Sequence, residues 1–442
     1  GRGGRGRGGG GGGAGAGAKA RMAGSGMAWG AGTLRYAASA GGAFVETLFA
    51  GTSGLQVYWR AVMLVVSVAY AGAMGSARFQ VWVRRALRPA VLRRVRKGGA
   101  LVVAIQRYES PLRTLVFEKT AHVVSETCYT LCFPLIFWSG HPRFARHLTL
   151  LLATATYTGN SLKDLFSCPR PLPPARRLRV KQNLHYKEEY GMPSTHVSNS
   201  VALASYSFYY WVSAGVRGIP GVWNFVTTLI GLTTLLLLGK VAVGRLYLGM
   251  HTAVDLAGGL ALAVAMIVYW ISMEDFVEAH ILTAPFLQMV LLQLSFAMTL
   301  LLGYPVPLKD NVSYRDSLSF HGNSIGVVYG CRLMHDYLRA PEPLPLTSTA
   351  AAQLALRAVV GFAIAGMVKE ASKPVLRFVV EKVFCLCFFA FGEKKHSRLA
   401  QRTGLARLNS LTPESVAQVF IYAALGLAIT FLAPAAMQAL GI

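Results

Sequence analysis

One stretch of the chain combines an arginine, a histidine and an aspartate between two apolar segments. Residues 244–255 read GRLYLGMHTAVD and place His251 and Asp255 four positions apart. In a helix this spacing puts both side chains on one face. A carboxylate there holds one imidazole nitrogen and leaves the other directed outward, as a nucleophilic or basic histidine requires. Arg245, six residues before the histidine, is placed to hold an anion against it.

Two further polar clusters lie at the ends of apolar segments. The first, KDLFSCPRP, contains Lys163 and Arg170, an ammonium and a planar guanidinium suited to phosphate oxygens. The second, PSTH, opens an apolar segment with Ser194, Thr195 and His196. The free N–H groups and the dipole of a helix that starts there favour an anion. Taken alone, the first cluster is better explained by a basic loop at lipid head groups and the second by an ordinary helix start.

The three clusters together predict phosphoryl transfer without a metal. We expect His251 to attack phosphorus and form a phosphohistidine, while Asp255 stabilises the imidazolium. His196 then protonates the leaving oxygen and later activates water. The sequence has no acidic cluster, and no cysteine pair at zinc-ligand spacing has a matching second pair, so no metal or other cofactor is predicted. The residues expected to bind phosphate oxygens are Lys163, Arg170, Ser194, Thr195 and Arg245.

The composition indicates a membrane protein. The 442 residues are 53% hydrophobic and 14% charged, whereas a soluble domain carries about 25% charged residues. Long apolar runs predict an all-α, polytopic membrane helical bundle of eight to ten transmembrane helices, since each span needs ~20 mostly apolar residues. The net charge is +25. Nucleic acid is not the expected partner, because the basic residues lie in loops between spans, where anionic lipid head groups and phosphate explain them.

Hydropathy divides the chain into four predicted parts. Within them, residues 148–165 form the third span, and residues 305–347 form a polar loop. Residues 354–368 and 375–391 form two separate late spans. The number of predicted membrane crossings between the clusters places all three at the same membrane face. The four parts are a disordered Gly/Ala/Arg-rich tail (1–40), a first span with a basic interfacial segment (41–118), a core with the three clusters (119–275) and C-terminal transmembrane helices (276–442).

In this order the three clusters resemble the three signature motifs of the type-2 phosphatidate phosphatase superfamily of lipid phosphatases. The longer match EEYGMPSTH, with Thr195 where the family usually has Gly, is similar to the sphingosine-1-phosphate phosphatase branch. Tyr247-Leu248-Gly249-Met250, directly before the histidine of the third motif, is similar to that branch as well. The resemblance covers roughly residues 115–275. One departure is Gly244, where the family commonly has a serine.

The resemblance implies a membrane-embedded phosphatase that removes phosphate from long-chain base 1-phosphates at a lumenal site in the endoplasmic reticulum. Phosphatidate and polyprenyl diphosphates stay open as substrates, and a transporter or lipid-binding protein is the non-enzymatic alternative. Glu188 and Glu189 are candidates to pair with a substrate amine or are simply solvated. The sequon Asn311-Val312-Ser313 favours a lumenal face, but the distribution of basic residues does not. The oligomeric state is not predicted.

Overall fold

The regular secondary structure of the described chain is helical. This confirms the predicted all-α class for those residues. The tail predicted for residues 1–40 lies outside them, and the boundaries predicted at residues 118 and 275 stay predictions. The described residues belong to one compact unit. The computed structural model describes residues 54–176, 178, 189–213, 220–309, 312–344, 347–391 and 412–442.

The helices are numbered here in chain order. The last one contains a π-helical turn over Ala428–Leu432. They are α1 (Gly54–Gly75), α2 (Ala77–Ala86), α3 (Arg88–Gln106), α4 (Pro111–Val123), α5 (Glu126–Trp138), α6 (Pro142–Phe166), α7 (Thr195–Ser213), α8 (Pro220–Tyr247), α9 (Ala253–Thr283), α10 (Phe286–Leu302), α11 (Ser313–Tyr337), α12 (Ser348–Phe391) and α13 (Pro413–Leu440).

Four helices in the described ranges are long and apolar enough to cross a membrane. Each has at least 18 residues, which meets or exceeds the length of about 17 to 25 residues that crosses a hydrocarbon layer. They support an integral membrane protein, while the larger count of eight to ten spans stays a prediction. The four segments are Tyr58–Gly75, Ala253–Thr283, Ser348–Leu386 and Pro413–Leu440, and shorter apolar helices cover Thr127–Trp138 and Phe286–Leu302.

The two late spans predicted within residues 354–391 are one helix, α12, of 44 residues. At 1.5 Å per residue it is about 66 Å long, which is more than a bilayer core requires. Pro374 lies inside the helix without ending it. The helix continues because an apolar stripe at four-residue spacing packs against α13. The stripe consists of Leu376, Val380 and Phe384.

The prediction of a polar loop for residues 305–347 was wrong, because most of this segment forms α11. Gly322, Gly326 and Gly330 recur every four residues and face α13. A Cβ atom on Gly322 would lie 2.3 Å from a backbone carbonyl oxygen of α13, and one on Gly326 would lie 2.0 Å from another. Small residues at this spacing let two helix backbones approach closely in a membrane. That pattern, and not hydropathy, was the signal for a helix here.

Basic residues of the segment predicted to lie on lipid hold the end of α6, which carries the first cluster. Arg84 Nε donates to the Leu165 carbonyl at 3.1 Å, and Arg88 Nε donates to the Phe166 carbonyl at 2.7 Å. The last carbonyls of a helix lack partners within the helix and favour positive charge. The two arginines therefore fix the position of the first cluster, and their four-residue spacing was the signal in the sequence.

Glycines allow the second cluster to pack directly between α6 and α9. A Cβ atom on Gly259 of α9 would lie 2.5 Å from the carbonyl oxygen of Ser194. A Cβ atom on Gly159 of α6 would lie 2.7 Å from the methyl carbon of Thr195. The start of α7 therefore lies closer to α6 and α9 than residues with a Cβ atom at positions 159 and 259 would allow.

Ion pairs and hydrogen bonds join the same helices at their other ends. Glu278 of α9 pairs with Arg146 and, at 3.1 Å, with His147 Nε2, both from α6. The hydroxyl of Tyr206 in α7 donates to Glu274 of α9 at 2.9 Å. Contacts at both ends fix the register of α6, α7 and α9, and this register sets the geometry of the clusters.

Candidate active site

The three predicted clusters meet at one end of the helices α6 to α9. The Gly191 N–H, just before the second cluster, donates to the Cys168 carbonyl in the first cluster at 2.9 Å. The Ser194 N–H donates to the Asp255 carbonyl in the third cluster at 3.0 Å. Backbone hydrogen bonds between segments far apart in the chain therefore bring all eight predicted site residues into one region.

His251 is oriented by a backbone carbonyl. Its side chain is 1% exposed, and its Nδ1 atom lies 2.9 Å from the carbonyl oxygen of Gly191. A carbonyl oxygen only accepts, so Nδ1 carries the proton and Nε2 carries the lone pair. Nε2 lies 3.4 Å from Arg170 Nη1. The same Arg170 nitrogen donates to the carbonyl of Met250 at 2.9 Å, which ties the first cluster to the third.

The helical spacing considered for His251 and Asp255 does not apply, because α9 begins only at Ala253. The Asp255 Oδ2 atom accepts the Thr252 N–H at 2.7 Å, and the Thr252 hydroxyl accepts the Asp255 N–H at 3.4 Å. Asp255 is thus part of a capping box, which the sequence pattern Thr-x-x-Asp signals. Its Oδ2 atom lies 3.9 Å from His251 Nδ1, close enough for electrostatic attraction but beyond a hydrogen bond.

The two cations of the first cluster enclose an acidic side chain. Glu189 receives hydrogen bonds from Lys163 Nζ and, at 2.6 Å, from Arg170 Nη2. Burial raises the pKa of Glu189, but Lys163 and Arg170 outweigh this and hold the pKa well below its usual range. The carboxylate is therefore ionised. Sequence reasoning considered Glu189 only as an amine partner or a solvated charge and did not predict this contact.

Two hydroxyl groups of the second cluster have different surroundings. Thr195 Oγ1 accepts a hydrogen bond from Lys163 Nζ at 2.8 Å and so orients the ammonium. Ser194 Oγ is buried and has no hydrogen-bond partner among the described residues. A buried hydroxyl that lacks a partner, next in sequence to the residue that contacts Lys163, fits an anion-binding position.

The remaining predicted residues, Arg245 and His196, belong to the same charge cluster, which also contains Lys163, Arg170 and His251. Arg245 is buried near the end of α8, and the half-buried His196 is the second residue of α7. Burial lowers the pKa of His251 well below its ordinary value, and the charges of Arg170 and Arg245 lower it further. His251 is consequently neutral near pH 7, and its Nε2 lone pair faces Arg170 Nη1 at 3.4 Å.

Gly244, where the family commonly has serine, faces α4 and not the charge cluster. A Cβ atom at this position would lie 2.9 Å from the ring of Phe117. A serine at this position would crowd that ring unless the ring or the helices moved. The glycine therefore accommodates the close packing of α8 against α4.

The site offers cations to bind phosphate oxygens, a neutral imidazole and a second histidine. The described residues contain no group of three or more His, Cys, Asp or Glu side chains placed to hold a metal ion. These are the side chains that phosphoryl transfer by charge stabilisation and an imidazole would use.

The chain belongs to the PAP2 superfamily, whose family model matches residues 144–277. That range contains all eight predicted site residues. The resemblance found in the sequence is confirmed by this match. The protein is a lipid phosphate phosphatase of a metal-independent family.

Three relatives illustrate the similarity. Lipid phosphate phosphatase delta of Arabidopsis thaliana is 32% identical over 335 residues, which cover 74% of this chain and 78% of the relative. A dihydrosphingosine 1-phosphate phosphatase of Schizosaccharomyces pombe is 26% identical over 397 residues, covering 83% and 92%. Sphingosine-1-phosphate phosphatase 2 of Homo sapiens is 26% identical over 252 residues, covering 56% and 60%. No solved structure matches the chain.

Proposed function

We propose that the enzyme hydrolyses the phosphate monoester of long-chain base 1-phosphates through a phosphohistidine on His251. The observation that carries the proposal is the hydrogen bond from His251 Nδ1 to the Gly191 carbonyl, which leaves the Nε2 lone pair beside Arg170. Two of the relatives described above are named as phosphatases of sphingoid-base phosphates, which supports the substrate class.

The first step forms a bond between His251 Nε2 and phosphorus and breaks the ester P–O bond. The substrate phosphate arrives as a monoanion and passes its proton to His196, which gives this proton to the departing alkoxide oxygen. Lys163, Arg170 and Arg245, with the Ser194 hydroxyl, stabilise the negative charge on the equatorial oxygens. Thr195 acts in this scheme by holding the Lys163 ammonium in place.

The second step returns the enzyme to its starting state. His196 accepts a proton from water, the water oxygen bonds to phosphorus, and the P–N bond to His251 breaks. Inorganic phosphate leaves. Asp255 stabilises the positive charge that His251 carries in the intermediate, across the 3.9 Å that separates their nearest atoms. We place this chemistry on the lumenal face of the endoplasmic reticulum membrane.

The test uses the full chain in detergent micelles, with EDTA present. Phosphate release is measured for sphinganine 1-phosphate, phosphatidate and a polyprenyl diphosphate. We expect the sphingoid-base phosphate to have the highest kcat/KM and His251→Asn to lower it by about 10³-fold or more. A preference for either other lipid refutes the substrate class, and absence of turnover with all three refutes catalysis in favour of transport or binding.

A second measurement separates the roles of the two histidines. Enzyme quenched with alkaline detergent after reaction with phosphate-labelled substrate should retain a phosphoryl group that is stable in base and lost in acid, and His251→Asn should abolish it. His196→Asn should still form this intermediate from p-nitrophenyl phosphate, whose leaving group needs no proton. Loss of the intermediate with both substrates contradicts the assignment of His196 as the proton donor.

A further inference from the structure

An acidic side chain lies among the cations that the reaction needs for phosphate. One Glu189 oxygen accepts from Lys163, and the other accepts from Arg170 at 2.6 Å. Lys163 and Arg170 are each 1% exposed in their side chains, whereas the Glu189 side chain is 16% exposed. The carboxylate thus approaches the cations from the more open side and presents two oxygens, as a phosphate group does.

Substrate phosphate and the Glu189 carboxylate compete for the same hydrogen-bond donors. Two anions on one pair of cations repel each other, so phosphate binding requires the carboxylate to move. The Glu189 backbone has a hydrogen bond that does not involve the carboxylate: Arg170 Nε donates to the Glu189 carbonyl at 3.2 Å. The side chain can therefore turn about its own bonds while the backbone stays, which leaves the carboxylate within a side-chain length of the bound phosphate.

The displaced carboxylate needs a new positive partner. A buried anion without a partner is costly, more so beside a phosphate dianion. A long-chain base 1-phosphate carries its ammonium on the carbon next to the one that bears the phosphate ester. This substrate therefore brings a cation to the edge of the phosphate site, whereas phosphatidate and simple alkyl phosphates bring none.

We propose that Glu189 is a substrate-specificity residue, whose carboxylate leaves Lys163 and Arg170 when phosphate binds and then pairs with the ammonium group of an amino-lipid phosphate. The proposal rests on the function proposed above. The same carboxylate selects in both directions: it attracts a substrate with an amine and repels a phosphate that lacks one. Thr195 keeps its contact with Lys163 in both states.

The experiment compares two substrates that differ only at the amine. Sphinganine 1-phosphate and its N-acetyl derivative are hydrolysed by the full chain in micelles, and the ratio of their kcat/KM values is measured. Glu189→Gln keeps the size of the side chain and removes its charge. We expect this variant to reduce the ratio by about tenfold to a hundredfold, the range typical for loss of one close charge pair. An equal change for both substrates overturns the proposal, because a structural or purely blocking role acts on both alike.

Matched variants serve as controls. Glu109→Gln removes an exposed carboxylate that pairs with Arg176 near the same end of the protein, at 2.6 Å, and should leave the ratio unchanged. Glu189→Asp keeps the charge and should retain most of the wild-type ratio of the two kcat/KM values. A ratio that Glu109→Gln lowers as much as Glu189→Gln shows a general effect of surface charge and overturns the proposal.

The wild-type protein provides a test that does not depend on folding of a variant. A non-hydrolysable phosphonate of the long-chain base should inhibit at least about tenfold more strongly than its N-acetyl form. Equal inhibition overturns the role of Glu189. Wild-type enzyme that does not hydrolyse long-chain base phosphates refutes the proposed function instead, so the two failures are distinguishable.

Discussion

Replacement of Asp255 by asparagine tests whether this residue acts in catalysis, in helix capping or in both. The carboxylate oxygen Oδ2 lies 3.9 Å from His251 Nδ1, while it accepts the Thr252 N–H at 2.7 Å. In the proposed reaction His251 gains a positive charge when it attacks phosphorus. Two unit charges at this distance interact by at most about 4 kcal/mol when the effective dielectric constant is near 20. Removal of the negative charge should therefore slow the reaction by up to about a thousandfold.

The stability of the Asp255→Asn variant should change little. An asparagine oxygen can still accept the Thr252 N–H from this third helical position, as a glutamine amide does in a capping box. Asp255→Ala removes both functions and should also lose about 1 kcal/mol of stability, because the buried Thr252 N–H loses its partner. The assay measures kcat/KM for sphinganine 1-phosphate and the midpoint of thermal unfolding in detergent for both variants.

One outcome would refute the electrostatic reasoning. If Asp255→Asn keeps activity within about threefold of the wild type while Asp255→Ala loses both activity and stability, the residue acts only as a cap. The orientation of His251 would then come entirely from the Gly191 carbonyl. A large loss of activity in both variants, with a stability loss only in alanine, agrees with the calculation.

Two further predictions concern packing and pH. Gly259→Ala adds a Cβ atom 2.5 Å from the Ser194 carbonyl, so the start of α7 must shift, and activity should fall by about a hundredfold with the protein still folded. Gly366→Ala, where a Cβ atom meets nothing within 4 Å, is the control, and equal effects in both contradict the argument. Because burial and then Arg170 and Arg245 lower the pKa of His251, its nucleophilic form persists below the ordinary value of 6.5 and is lost only as pH falls through the lowered pKa. Profiles of kcat/KM for two substrates with different phosphate pKa values isolate this acid limb, and a limb at or above 6.5 contradicts the prediction.

The chemical groups of the site could be predicted from sequence because their types and order are local properties. Lys163, Arg170, His196 and His251 each lie at the end of an apolar segment, and hydropathy alone locates such ends. An even number of crossings between those ends then places them on one side of a membrane. The prediction of a helical fold rested on the same apolar runs.

Contacts between distant segments could not be predicted in this way. Hydropathy assigned residues 305–347 to a loop, although Gly322 and Gly326 allow α11 to pack closely on another helix. The composition of that segment is polar, and the apolar partner that completes it lies almost a hundred residues later in the chain. A helix stabilised mainly by its neighbour leaves a weak signal in its own hydropathy.

By itself the sequence determined which side chains are present, their order and their place at the ends of helices. Only the tertiary structure decided which atoms meet. The Gly191 carbonyl reaches His251 across 60 positions in the chain, and Glu189 enters between Lys163 and Arg170. These are non-local hydrogen bonds, whose partners depend on the packing of α6, α7 and α9 and are not encoded in any single segment.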